Sequence, residues 1–315
     1  QIMMGPGIGA QTLIIKQINP TVAGSPVASD FTGALADLIN SVGPLNIDPY
    51  YITPLGGKLS DSDVSVVNAA YLNHAIQMAD PQFRKERRIY TGLKSTATFN
   101  TVVSAAQALG TDSVNSGRLT LAANFDPVIS VSSNSGPVDV NLDGFFQAAA
   151  IAGFRSTQVA SQPALNKLLP AFNGYRSTFS STQIDTLDDV GAMVCESVGG
   201  TISMVNDVTV NVANDIEKSI PTVEARDVLI GRVRRRLKAS IIGLRGSPSI
   251  PSQIERITDA ELEDERGSGD IQAFAPSKAN RLPNSITKFS VSFSYLPAGE
   301  VLEINVNFSI DLNLV

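Results

Sequence analysis

The end of this chain alternates without a break. Leu302, Ile304, Val306, Phe308, Ile310 and Leu312 are apolar, and Glu303, Asn305, Asn307, Ser309 and Asp311 between them are polar. A period of two sends successive side chains to opposite faces of a strand, so this segment needs an apolar surface on one side and a backbone partner at its edge. The same pattern precedes it, with Phe289, Val291, Phe293 and Tyr295 set between Lys288, Ser290, Ser292 and Ser294. The Pro297-Ala298-Gly299 turn between the two runs predicts a long terminal hairpin. Two strands alone are marginal in water, so the hairpin must add to a sheet of its own domain or of a neighbour. At this level both readings stay open: an ordinary edge hairpin, or a terminal strand that pairs between chains.

Upstream, strand-like and helix-like stretches take turns. Asp30 is placed to cap a helix carrying Leu35, Leu38 and Ile39, and Tyr50-Tyr51-Ile52 reads as a short strand. Ser60 or Asp61 opens a helix through Val64, Val67, Ala70, Tyr71, Ala75 and Met78 that Pro81 closes. Arg88-Ile89-Tyr90 is strand-like, residues 99–109 form a helix ended by Gly110, and residues 118–124 a strand with Leu119 and Leu121 on one face. Residues 143–154 give an Ala-rich helix, Ser181 caps a helix through Ile184, Leu187 and Val190, and residues 201–210 are strand-like. A chain of 315 residues has room for about two domains. The alternation predicts the α/β class: an N-terminal segment 1–29, a mainly parallel-sheet core domain 30–211, and an α+β C-terminal domain 212–315 ending in the long β-hairpin.

The C-terminal domain opens with a helix after Pro221, whose apolar stripe is Leu229, Val233, Leu237, Ile241 and Leu244. It carries Arg226, Arg232, Arg234, Arg235, Arg236 and Lys238, a dense basic run in a chain of net charge −6. A second helix after Pro251 has the stripe Ile254, Ile257 and Leu262 and runs into Asp259, Glu261, Glu263, Asp264 and Glu265, before a short strand at 270–274. Arg232, Arg235 and Lys238 on one helix, and Glu261, Glu263 and Asp264 on the other, are the candidate charged contacts. They read as solvated faces, as partners of each other, or as contacts to another chain.

Little in the sequence points to chemistry. The opening Gly5-Pro6-Gly7-Ile8-Gly9 precedes the strand-like residues 12–15, whereas a dinucleotide loop must follow a strand and open a helix. A nucleophilic triad would have to use His74, the single histidine, which falls inside a predicted helix. Cys195 is the single cysteine, which excludes an internal disulfide and a cysteine metal cluster, and it reads as a small buried residue. The carboxylates of 259–265 lack the central glycine of a calcium loop. The arginine run has no interleaved aromatics and lies in an acidic chain, so no nucleic-acid partner is expected. No apolar run of about 18 residues occurs, so no direct membrane insertion is expected either. The start at Gln1, with neither an initiator Met nor a signal-peptide pattern, suggests an upstream segment that has been removed. The expectation is a protein without catalysis, cofactor or metal.

Four stretches carry a family resemblance. The helix Phe146-Gln147-Ala148-Ala149-Ala150-Ile151-Ala152-Gly153-Phe154 is followed by Ser161-Gln162-Pro163-Ala164-Leu165-Asn166 and Phe172-Asn173-Gly174. Then come Ile184-Asp185-Thr186-Leu187-Asp188-Asp189-Val190-Gly191, and Arg226-Asp227-Val228-Leu229-Ile230 with Arg234-Arg235-Arg236-Leu237 and Ile242-Gly243. Last are Asp270-Ile271 and the alternating hairpin. In this order, over roughly residues 30–315, they resemble the contractile tail sheath proteins of bacteriophages and related contractile injection systems. The chain departs from that pattern at Asn206-Asp207-Val208-Thr209, where many sheaths carry an aromatic-glycine and Arg-Thr motif, and in its short N-terminal extension. The resemblance implies hexameric rings stacked into a helical lattice around a tail tube, in a virion tail assembled in the host cytoplasm. The implied partners are the chain itself, the tube protein, the baseplate and the tail terminator, with terminal strands donated into neighbouring sheets. The rival class is a flavodoxin-like enzyme or nucleotide-binding domain, and a third reading is another tail or baseplate component.

Overall fold

The computed structural model describes residues 18, 20–21, 26–39, 49–57, 59–80, 85–112, 116–134, 136–243, 247–283 and 288–298. The chain divides into two compact units, Gln1–Val228 and Leu229–Val315. In the first, α1 (Ala28–Ile39) leads to β1 (Tyr51–Ile52), α2 (Asp61–Ala79), β2 (Arg88–Thr91), α3 (Phe99–Leu109) and β3 (Leu119–Ala122). A hairpin of β4 (Pro127–Ser133) and β5 (Gly136–Asn141) follows, then α4 (Gly144–Arg155), β6 (Gly174–Tyr175), α5 (Ser181–Asp189) and β7 (Ala192–Met193). A second hairpin, β8 (Cys195–Val198) with β9 (Thr201–Met204), and the short α6 (Asp215–Lys218) lead into α7 (Ile220–Ile241), which the unit boundary crosses.

The core is the parallel sheet that the alternation predicts. Strands β1, β2, β3 and β7 lie in that order and all run parallel, with Ile89 opposite Leu119 and Leu121 opposite Ala192. Strands β2 and β3 are buried at every residue, as a sheet covered on both faces requires. Successive side chains therefore enter different cores. Ile89, Leu119, Leu121 and Ala192 meet Val64, Val67 and Ala75 of α2, Val102 and Ala106 of α3 and Leu187 of α5. Tyr90, Ala122 and Met193 meet Ala148 and Ile151 of α4, together with Ile202 and Met204 of β9. Gly92, just past β2, makes room for the start of α4: a Cβ there would sit 2.3 Å from the backbone carbon of Gly144.

Helix starts follow local chemistry. Ser60 caps α2 by accepting from the Asp63 N–H at 3.2 Å, and Thr98 caps α3 by accepting from the Thr101 N–H at 3.3 Å. The cap of α5 is Ser180, one residue before the Ser181 that the sequence suggests, because Gln183 at the third helical position completes a capping box with it. Asp30 lies inside the first turn of α1 rather than ahead of it, and its carboxylate accepts from the N–H groups of Thr21 and Val27. The strand expected over 201–210 ends at Met204, and the rest is an extended segment tied down by buried Asn206, Asp207 and Thr209. Polar side chains wired inward there break the period of two.

In the second unit, α8 (Ile250–Ser268) is followed by β10 (Ile271–Arg281) and β11 (Phe289–Pro297), paired antiparallel with Phe274 opposite Tyr295. Gly269, left-handed at φ 85°, ends α8 and turns the chain into β10. Leu229 and Val233 of α7, Leu262 of α8 and Ile271 form one core, with Phe274, Phe293 and Tyr295 packed on it. Phe289, Val291 and Leu237 pack on Ile250, Ile254 and Ala279. The terminal hairpin of the described residues is thus 271–281 with 289–297. The expected second strand, Leu302 to Leu312, lies outside the described residues, as do Leu244 and residues 5–15. Strand β10 runs on past the predicted 270–274 because a bulge between Ala275 and Lys278 absorbs Pro276 and lets the ladder resume.

Candidate functional site

The first half of α7 is held by a cluster of buried charges. Glu224 and Asp227 sit three residues apart on one helical face and both point inward, with side chains 1% exposed. Glu224 Oε2 pairs with Nη2 of Arg155, the last residue of α4, while its Oε1 accepts from the hydroxyls of Tyr51 (3.1 Å) and Tyr90 (3.2 Å). Arg88 Nε, at the start of β2, lies 3.7 Å from the same oxygen. Asp227 takes both terminal nitrogens of Arg118, at 3.2 and 3.3 Å, and the Tyr50 hydroxyl at 3.1 Å. Asp207 completes the set by accepting from Arg155 Nη1 at 3.1 Å and from the Ala164 N–H at 2.7 Å.

Three guanidiniums therefore face three carboxylates in a dry interior. Desolvation works against the charge on Arg155, but Glu224 and Asp207 outweigh it, so its pKa lies above the ordinary arginine value. Burial, reinforced by Glu224 or Asp227, raises Tyr50, Tyr51 and Tyr90, which stay protonated as the hydrogen-bond donors that the carboxylates need. Such a cluster adds little net stability over an apolar core, yet it fails badly if one partner is removed, so its effect is to fix where α7 docks. The Asn206-Asp207-Val208-Thr209 segment belongs to this wiring: Asn206 accepts from the Val194 N–H at 2.7 Å, and Thr209 donates to the Glu217 carbonyl at 2.7 Å.

The candidate surface charges of the second unit are sorted by the structure. Arg236 Nη1 bridges Glu261 (2.6 Å) and Asp264 (2.8 Å), Arg232 pairs with Glu265, and Arg266 holds Glu263 at 2.5 Å. The basic and acidic helices thus meet within one chain. Arg235 and Lys238 are exposed and make no ion pair among the described residues. On the sheet, Ser290, Ser292, Ser294 and Leu296 face outward while Phe289, Val291, Phe293 and Tyr295 face the helices.

No constellation for chemistry assembles around the two residues the sequence singles out. His74 is buried in α2 against Arg87, and Cys195 lies among Met193, Ile202 and Met204. Burial pushes the Cys195 thiol up to about 12. Only the thiolate is nucleophilic, so alkylation at about pH 8 is expected to be slow in the native protein and fast in denaturant. Equal rates in a mass-spectrometric time course would contradict the packing described. Past the carboxyl ends of β2 and β3 lies a crevice of about 360 Å³ lined by Ser95, Thr98, Phe125, Ser177 and Gln183, with no lysine or arginine in its lining among the described residues. The sheet order β1-β2-β3-β7 has no reversal, so the switch point at which doubly wound folds hold nucleotides is missing among the described residues. Among those residues no group of acidic, histidine or cysteine side chains is placed to hold a metal, and no helix is long and apolar enough to cross a membrane.

The fold built from this short parallel sheet between helices and the antiparallel strand pair on two helices is similar to that of contractile sheath proteins of phage tails and injection systems. The sheath tail protein of Listeria innocua matches with a TM-score of 0.64 at 13% identity, over 87% of this chain and 58% of its own. A chain of the anti-feeding prophage baseplate matches at 0.63 and 14% identity, over 90% of this chain and 73% of that one. The helical sheath of the same prophage in its contracted state matches at 0.61 and 13% identity, over 92% and 76%. The chain therefore spans less than two thirds of the Listeria protein. No protein-family model matches it, and no curated protein matches it by sequence.

Proposed function

We propose that this chain is a structural subunit of a contractile sheath, assembling as stacked six-membered rings around a tail tube and shortening to drive the tube through a target envelope. The observation that carries this reading is the extent of the fold match. It reaches 92% of the chain against a contracted helical sheath, more than the first unit alone comprises. The partners on this reading are other copies of the chain, the tube, the baseplate and the tail terminator, in a virion tail or an injection particle assembled in the host cytoplasm. No catalysis or cofactor is needed, because a metastable extended lattice can store the work. Strand 302–312 is donated to a neighbouring copy, so that rings stay linked while rigid bodies move.

Arg235 and Lys238 are assigned to contacts with a neighbouring subunit or the tube. Arg232, Glu261, Glu263 and Asp264, which have or share partners within the chain, join such contacts by exchange. Each exposed pair contributes only about 0–1 kcal/mol, but a lattice repeats it. Negative-stain microscopy of the purified protein is expected to show rings or striated tubes that shorten in number and length as salt rises. Monomers under all conditions would refute the sheath reading, and tubes indifferent to salt and to Arg235→Glu would refute the charge assignment.

A further inference from the structure

Arg88 is the odd member of the buried charge cluster. Its side chain is 0% exposed and its backbone is fixed: the Arg88 N–H donates to the Tyr50 carbonyl at 2.7 Å, and Arg88 pairs with Tyr51 in the β1–β2 ladder. The neighbouring guanidiniums are well supplied. Arg118 gives both terminal nitrogens to Asp227, and those of Arg155 reach Asp207, Glu224 and the carbonyls of Ala160 and Gln162. Nε, Nη1 and Nη2 of Arg88 are buried too, yet among the described residues none of them has a hydrogen-bond acceptor. A guanidinium carries five N–H donors, and a charged group left unsolvated in the interior bears a large desolvation penalty.

The carboxylates explain why Arg88 is left over. Glu224 Oε1, the oxygen 3.7 Å from Arg88 Nε, already accepts from the Tyr51 and Tyr90 hydroxyls, which fill its two lone pairs. Glu224 Oε2 is taken by Arg155. At Asp227, Oδ2 accepts from Arg118 and from the Tyr50 hydroxyl, whereas Oδ1 holds a single Arg118 bond and has a lone pair to spare. Thr120 lies opposite Tyr90 in the β2–β3 ladder, on the sheet face that Arg88 shares with Tyr90, and its hydroxyl is also buried without a hydrogen-bond partner. Donors that reach no acceptor, beside acceptors with capacity left, call for a molecule that both accepts and donates. Charge sets its class. Arg88, Arg118 and Arg155 balance Glu224, Asp227 and Asp207, so an added anion would put a net charge in the interior, whereas water leaves the balance untouched. We propose that Arg88 holds a buried water, which accepts from its terminal nitrogens and donates onward to Asp227 Oδ1 or the Thr120 hydroxyl. Arg88 is thereby tied to α7 through a water closed off from bulk solvent, in the single chain and independently of any assembly.

Crystals of the full chain that diffract well enough to show ordered water test the site directly. A density peak is expected within about 2.7–3.2 Å of Arg88 Nη1 or Nη2. Soaking in bromide is expected to leave that peak without anomalous signal. In solution, oxygen-17 relaxation dispersion counts the waters held long enough to tumble with the protein. Arg88→Met keeps the apolar stem and removes the donors, so it is expected to lose about one water's share of the dispersion while still melting cooperatively. If that variant does not fold, the map of the unaltered chain decides alone. A map with no peak at Arg88, or a guanidinium bonded straight to Glu224 or Asp227, would overturn the proposal. Anomalous bromide signal would overturn water in favour of an anion, and unchanged dispersion in folded Arg88→Met would show that these donors hold nothing.

Discussion

Glu224→Ala is expected to cost the first unit about 3–5 kcal/mol, the loss typical of removing one partner from a buried ion pair. Arg155 and Arg88, whose side chains are 0% exposed, would both lose their Glu224 carboxylate, leaving Arg155 with Asp207 alone and Arg88 with only the more distant charge of Asp227. Both guanidiniums are held charged, so neither can escape the penalty by losing a proton. Glu224→Gln should lose less, because an amide oxygen can still accept from Tyr51 and Tyr90. Arg118→Ala should also lose less, since that side chain is 10% exposed and water can reach the Asp227 it leaves behind. Urea unfolding of the four proteins, with exposed Arg235→Ala as control, gives the ranking. A loss below about 1 kcal/mol for Glu224→Ala would mean that the cluster does not fix α7.

Val306→Pro is expected to leave a soluble chain that melts cooperatively and does not polymerise. Proline removes one ladder N–H and blocks strand pairing without removing the apolar side chains around it. Deleting 301–315 should have the same effect on polymerisation. It strips six apolar side chains, each contributing about 1.5–3 kcal/mol when fully buried, and leaves β1, β2, β3 and β7 untouched. Sedimentation and microscopy separate the outcomes. Misfolded, aggregating protein would mean that the strand pairs within its own chain, and normal tubes would mean that it pairs with nothing essential.

The parallel core was legible at β2 and β3 because burial on both faces leaves short apolar runs at Ile89 and at Leu119 and Leu121, with capping residues between them, whereas the two-residue β7 at Ala192 is too short to read and the expected strand falls at 201–210 instead. The charge cluster was not legible. Read singly, Arg88, Arg155, Glu224 and Asp227 are indistinguishable from surface charges, and only the fold brings residues from β2, α4 and α7 together. Two signals were available: arginine inside a strand otherwise made of Ile89, Tyr90 and Thr91, and two carboxylates three apart on the face of α7 that leads into its apolar stripe. The β4–β5 hairpin escaped for the opposite reason. Val131 and Val138 face each other across the ladder but are 44% and 49% exposed, so no buried face marks the segment. In the second unit the stripe of α7 was plain, whereas β10 as a partner of β11 was missed because Pro276 hides its length.

The bonds that Asp259 and Glu255 of α8 take from the Ser277 and Ala279 N–H groups, at 2.8 and 3.0 Å, have a consequence for aggregation. A sheet that accepts strands on both sides is a repeat unit with no built-in end, and stacking of such units along the hydrogen-bond direction is how cross-β fibres propagate. With the Ser277 and Ala279 N–H groups already bonded to Asp259 and Glu255, the middle of the β10 edge has fewer donors to offer another strand. Two acidic side chains on a helix thus withdraw part of the backbone template that such growth would need.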